Sequence, residues 1–130
     1  MGPDHTGRAL RRVFRKGFLG KVRRTSVTSH YGLKTLMYGV LLPGPHIGKR
    51  AGEAMRLASK DGHETGVHSW DHVRWQDNVA KKGENWARTE MTRAYDAFVE
   101  TFGVTPSTIG AAGWQLNRYV PKLEAGMGFR

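Results

Sequence analysis

From His46 to Ala112 the sequence alternates between a helical hydrophobic period and short β-branched runs, and no other feature limits the fold as tightly. Ile47, Ala51, Ala54, Met55 and Ala58 recur at helical spacing across residues 46–60, and Gly62 offers a C-terminal stop. His63-Glu64-Thr65-Gly66-Val67-His68 then reads as a short buried strand, with Thr65 and Val67 supplying the β-branched character that suits a pleated surface. A polar stretch, Arg74 to Lys82, leads to a second helix over Glu84 to Phe102. Its Trp86, Ala94, Tyr95, Phe98 and Phe102 share one face, and Gly103 closes it. Pro106 to Ala112 is the second strand candidate. Helix, strand, helix, strand is the order of parallel β/α units, whose functional groups gather at the carboxyl ends of the strands. His68 and Gly113-Trp114 occupy those ends.

The part before His46 is different in kind. Residues 5–52 carry eleven Lys and Arg and no acid, whereas residues 53–130 carry ten of each sign, so the net charge of +10 belongs to the first two-fifths of the chain. Such a surface attracts phosphate, whether on nucleic acid, anionic lipid or a phosphorylated substrate; a solvated basic face is the plain alternative. Within residues 8–24, Leu10, Val13, Phe14, Phe18, Leu19 and Val22 lie near helical spacing among arginines and lysines, and Gly17 and Gly20 weaken that helix by roughly 1 kcal/mol each. This basic amphipathic segment either packs its stripe on a core or touches a membrane surface. A helix over residues 29–40 has to end at Leu42-Pro43-Gly44-Pro45. A basic helical region 1–45 and β/α units over 46–130 are therefore expected inside one domain, since 130 residues suit a single core. The apolar run Leu36 to Leu42 is far short of the ~20 residues of a membrane span, and no signal peptide follows the basic start. Cysteine is absent, which removes disulfides and thiolate metal sites.

Residues 66–72, Gly-Val-His-Ser-Trp-Asp-His, hold the strongest chemical constellation: two imidazoles, His68 and His72, separated by three residues. If His68 opens a turn of helix, positions i and i+4 fall on one face and both nitrogens can point at one ion. Two neutral imidazoles bind metal weakly, so a third ligand, usually a carboxylate, must join them. A pair of this kind is more often structural than metallic; its place after a strand, with Trp70 and Trp75 beside it, makes the two readings about equal. Asp71 reads as a surface aspartate capping a turn or as a carboxylate supporting a ligand. Nearby patterns fail on spacing. His63-Glu64 with His68 leaves one residue too many for the zinc-protease HExxH pattern. Gly44 to Arg50 is one residue short of a phosphate-binding P-loop and has Arg where the Mg²⁺-binding hydroxyl belongs. Met1-Gly2 with Thr6 fits the myristoylation consensus, a short pattern stiffened here by Pro3.

His63 to Asp77, HETGVHSWDHVRWQD, resembles the second motif of the polysaccharide deacetylase (NodB-homology) family, and its Trp-Asp-His-x-x-Trp-Gln extension is similar to that family's deformylase branch. Gly2 to Arg8 and Ala111-Ala112-Gly113-Trp114 agree with it, so the resemblance runs over essentially the whole chain. It implies an α/β fold, a partial (β/α) barrel truncated at both ends. The aspartate ligand and the base would precede Met1, the general-acid histidine would follow Arg130, and Phe129-Arg130 would open the next strand. By resemblance, His68 and His72 hold a divalent metal such as zinc or manganese. Trp114 offers a main-chain N–H to the oxyanion, while Trp70, Trp75 and Gly113 line the substrate. Ala111 stands where the family's base-orienting arginine is usual, so that role is lost. The implied reaction is hydrolysis of the carbon–nitrogen bond of a formamido sugar linked to undecaprenyl phosphate, in the lipid A aminoarabinose pathway. An N-acetyl glycan deacetylase is the alternative. The implied setting is the cytoplasm, at the inner face of the cytoplasmic membrane, with residues 8–24 meeting anionic lipid and the chain alone inactive. Charge on its own equally fits a non-catalytic module binding anionic membrane or nucleic acid, although no recognised nucleic-acid fold motif is present.

Overall fold

The helices expected over 46–60 and 84–102 form where the apolar period is helical, and two short helices, over 72–78 and 120–126, are additions. The computed structural model describes residues 1–14 and 27–130, and in it α1 spans Val27–Met37, α2 Ile47–Lys60, α3 His72–Asn78, α4 Glu84–Phe102 and α5 Val120–Gly126. Two 3₁₀ segments, Thr6–Phe14 and Ala112–Trp114, complete the described elements. The expected helices over 46–60 and 84–102 form almost residue for residue, and α4 ends on Gly103 in the left-handed conformation (φ 72°, ψ 8°) that glycine adopts without penalty. The basic segment starts as a 3₁₀ helix, with Asp4 Oδ1 accepting from Thr6 N at 2.9 Å; what was expected of residues 15–24 lies outside the described residues.

The described residues form two compact units, Asp4–Pro45 and a second made of Met1–Pro3 with His46–Arg130. In the first, the 3₁₀ segment lies against α1, with Gly7 N donating to Tyr38 O at 3.0 Å and Arg8 Nε to Gly39 O at 3.2 Å. A β-carbon on Gly7 would collide with the Leu36 carbonyl, so only glycine allows that approach.

The second unit holds the core that matters for the site. Val67, Ala94 and Phe98 form one buried cluster, and Trp75, Val79, Ala87, Met91, Ala112, Val120 and Leu123 form another. Ile109 and Phe129 pack on both. Burying a side chain of the size of Phe98 or Met91 contributes about 1.5–3 kcal/mol. α2 approaches α4 through its two buried glycines: a β-carbon on Gly48 would sit 2.9 Å from Thr101 Oγ1.

The expected strands shrink to one rung. Among the described residues, β contacts are isolated bridges, and the one between the two expected strand segments joins Val67 to Ile109 in parallel. Val67 N donates to Thr108 O at 2.9 Å and Gly110 N donates to Val67 O at 2.8 Å. Gly66 and Gly110 flank that rung with little β preference, Pro106 has no N–H, and a parallel pair is weak per residue, so pairing does not spread. The β/α order holds while the described residues show helices and isolated bridges rather than a barrel sheet. Arg130 N donates to Ser107 O at 2.9 Å, which lays the last two residues beside the second segment.

Candidate functional site

The chain leaves the Val67 rung at His68 and turns through Ser69, whose φ of 119° is a conformation L residues seldom adopt. Asp71 then caps α3, its side chain accepting from Arg74 N at 2.9 Å, and His72 is the first helical residue. The two histidines therefore do not share a helix face, as the i, i+4 argument supposed. The turn between rung and helix brings them together, with ring centres 5.2 Å apart and planes at 42°. His68 Nδ1 lies 2.9 Å from Gly110 O. A carbonyl only accepts, so Nδ1 carries the hydrogen and Nε2 of the neutral ring keeps its lone pair.

α3 is seven residues long and would not persist alone, since isolated helices below about 12 residues are marginal. Four ties hold it. Asp71 is 4% exposed, a buried cap rather than a surface one. Trp75 is 5% exposed, packs 5.8 Å from the Trp86 ring and donates through Nε1 to Gln115 O at 2.9 Å. Arg74 Nε reaches Glu90 Oε1 at 3.1 Å, and Asn117 Nδ2 donates to Val79 O at 2.9 Å just past the helix.

A cavity of about 10 Å³ lies beside His68, lined by it and by Trp75, Glu90, Met91, Ile109 and Glu124 among others. Burial raises the Glu124 carboxyl above its ordinary value. Met1 runs alongside the turn, its amino group donating to Ser69 O at 3.2 Å; burial lowers that amine, and the nearby Asp71 charge opposes the shift.

The remaining expected site residues scatter. Trp75 belongs to the core and also lines the small cavity beside His68. Trp70 is half-buried, its ring edge-on to His46 at 5.4 Å and pressed by Gly2, where a β-carbon would come within 2.6 Å of the indole. Gly113 has φ 62° and abuts Gln76. The Trp114 side chain is 93% exposed, and its N–H, expected to meet an oxyanion, donates instead to Ala111 O at 3.0 Å. Sequence reasoning passed over Gly110, whose carbonyl fixes His68, and Glu90.

The pair fits part of a metal centre. Two imidazoles sharing a tetrahedral zinc at about 2.0–2.1 Å from each nitrogen have ring centres roughly 5 Å apart, close to what is found here. Among the described residues no group of three or more His, Cys, Asp or Glu is arranged to hold a metal.

Residues 28–130 match the family model for polysaccharide deacetylase. This chain belongs to the polysaccharide deacetylase family. A protein of Shewanella sediminis named "Probable 4-deoxy-4-formamido-L-arabinose-phosphoundecaprenol deformylase" is 33% identical over 130 residues, all of this chain and 43% of its own length. One of the same name from Wigglesworthia glossinidia brevipalpis is 32% identical over 120 residues, 92% of this chain and 42% of its own. The chain thus spans less than half the length of these curated relatives. Family membership implies the (β/α) barrel architecture, whereas the described residues are helix-rich with only isolated bridges.

Proposed function

We propose that this chain supplies the histidine pair of a metal-dependent hydrolase that cleaves the carbon–nitrogen bond of a formamide on a sugar linked to undecaprenyl phosphate. The carrying observation is that His68 and His72 come to 5.2 Å between ring centres while the Gly110 carbonyl directs the His68 Nδ1 hydrogen, leaving Nε2 as a ligand. The family match and the relatives' printed names support the reaction and substrate class. A divalent metal such as zinc or manganese, when bound, supplies Lewis acidity toward water and the amide carbonyl. Gly110 orients one ring, the Asp71 cap sets where α3 begins and so where the second ring stands, and the Trp75 seat keeps that helix in place. Among the described residues no third His, Cys, Asp or Glu is grouped with the pair to complete a metal shell.

The basic 3₁₀ segment and the residues after it are proposed to meet the anionic lipid of the cytoplasmic membrane face, where a lipid-linked phosphate would be presented. Among the described residues no helix is long and apolar enough to cross a membrane.

Metal-free chain titrated with Zn²⁺ by calorimetry should bind one weak equivalent, lost in His68→Ala and in His72→Ala. Tight binding that survives the double substitution would sink the metal reading. The 130-residue chain should release no formate from a formamido-sugar lipid, because two imidazoles without a third ligand or base activate water poorly; measurable turnover would overturn that expectation.

A further inference from the structure

Charged side chains are almost never fully buried unless paired, yet α4 carries one in the middle of its apolar face. Glu90 is 2% exposed and sits four residues from both Trp86 and Ala94, on the stripe that continues to Phe98. A leucine there would prolong the stripe, and replacing a buried ion pair by apolar groups is often neutral or stabilising. Stability alone therefore does not account for the carboxylate.

Its partners separate into two kinds. Oε1 receives Arg74 Nε at 3.1 Å and Arg93 NH1 at 3.3 Å, while Oε2 is buried with no hydrogen-bond partner among the described residues. Arg93 is three residues along the same helix, so that contact ties α4 only to itself. Arg74 comes from α3, two residues after His72. Glu90 also lines the cavity beside His68. One buried carboxylate thus touches the surroundings of the first histidine and grips the short helix that begins with the second.

We propose that Glu90 is a positioning residue for the histidine pair, acting through Arg74 to hold α3, and with it the His72 ring, against the segment that carries His68. The metal-binding arm of its test rests on the function proposed above; the ring-proximity arm does not.

The test uses metal-free chain with labelled histidine, read by the nuclear Overhauser cross-peak between the two imidazoles and by Zn²⁺ titration. Wild type and Arg93→Met should show the cross-peak, because the ring centres lie 5.2 Å apart. Arg74→Met and Glu90→Gln should lose it, and in both Zn²⁺ should bind about 10–100-fold more weakly, the usual effect of removing a group that orients a ligand. Arg93→Met should change Zn²⁺ affinity by less than about twofold. Should Glu90→Gln fail to fold, Arg74→Met decides alone, its side chain being 43% exposed and so tolerant of change. A full-strength cross-peak in Arg74→Met, or equal loss in Arg93→Met, would overturn the proposal. A cross-peak that obeys the pattern in a wild-type chain taking up no Zn²⁺ would uphold Glu90 and dismiss the metal.

Discussion

Replacing Asp71 by alanine should cost about 1–2 kcal/mol and loosen the start of α3. Its Oδ1 accepts the Arg74 N–H at 2.9 Å, and the residue is almost fully buried, so water can replace that acceptor only poorly. Loss of an N-cap oxygen costs roughly 0.5–2 kcal/mol, and loss of a negative charge at a helix start about 0.3–1 kcal/mol more. For a chain of this size about 1–2 kcal/mol, the middle of that combined range, corresponds to a fall in melting midpoint of roughly 3–10 °C. Asparagine caps as well as aspartate, so Asp71→Asn should forfeit only the charge contribution, under about 1 kcal/mol. Urea denaturation followed by far-ultraviolet circular dichroism measures all three proteins. The reasoning is refuted if asparagine is as damaging as alanine, which would put the effect in the charge and not the cap, or if alanine costs less than about 0.3 kcal/mol.

Gly113→Ala should be worse than Gly62→Ala. Both have positive φ, 62° and 87°, which charges each roughly 1–2 kcal/mol for a left-handed L residue, but a β-carbon meets the Gln76 side chain at the first and open space at the second. Equal midpoints in a thermal melt would contradict this. Glu124 has its folded pKa raised by burial, so the protonated form is favoured in the fold: its contribution is fully present below the ordinary 4.5 and is lost as pH rises through the higher folded value. Glu124→Gln should therefore raise the midpoint at pH 7 and give no gain below pH 4.5, and the opposite order in melts at the two pH values would reverse the sign argued here.

How much of this was visible in the residues depended on how local the cause is. The stripe Trp86, Ala94, Phe98, Phe102 with Gly103 behind it set α4 at the observed ends, because period and cap act within the helix itself. α3 was read as a polar stretch, since seven residues with two buried positions, Val73 and Trp75, carry too little period; Asp71 as a cap was its one signal. The spacing of His68 and His72 was legible but the way they converge was not, because it depends on an unusual φ at Ser69 and on Gly110, forty-two residues away. Which tryptophan is buried also escaped, since Trp75 stands among polar neighbours yet is buried while Trp114 follows small apolar residues yet is exposed, and only tertiary packing separates them. Glu90 could have been found: a charge at four-residue spacing inside an aromatic stripe is an anomaly that calls for a partner.

Gly110 serves two neighbours at once, its N–H going to the Val67 carbonyl and its own carbonyl to the His68 ring. The proton on that imidazole is consequently a gauge of alignment: sliding one segment past the other by a single residue would take the carbonyl away and free the ring to exchange tautomers. The nitrogen spectrum of one side chain therefore reports on the seating of the backbone beneath it.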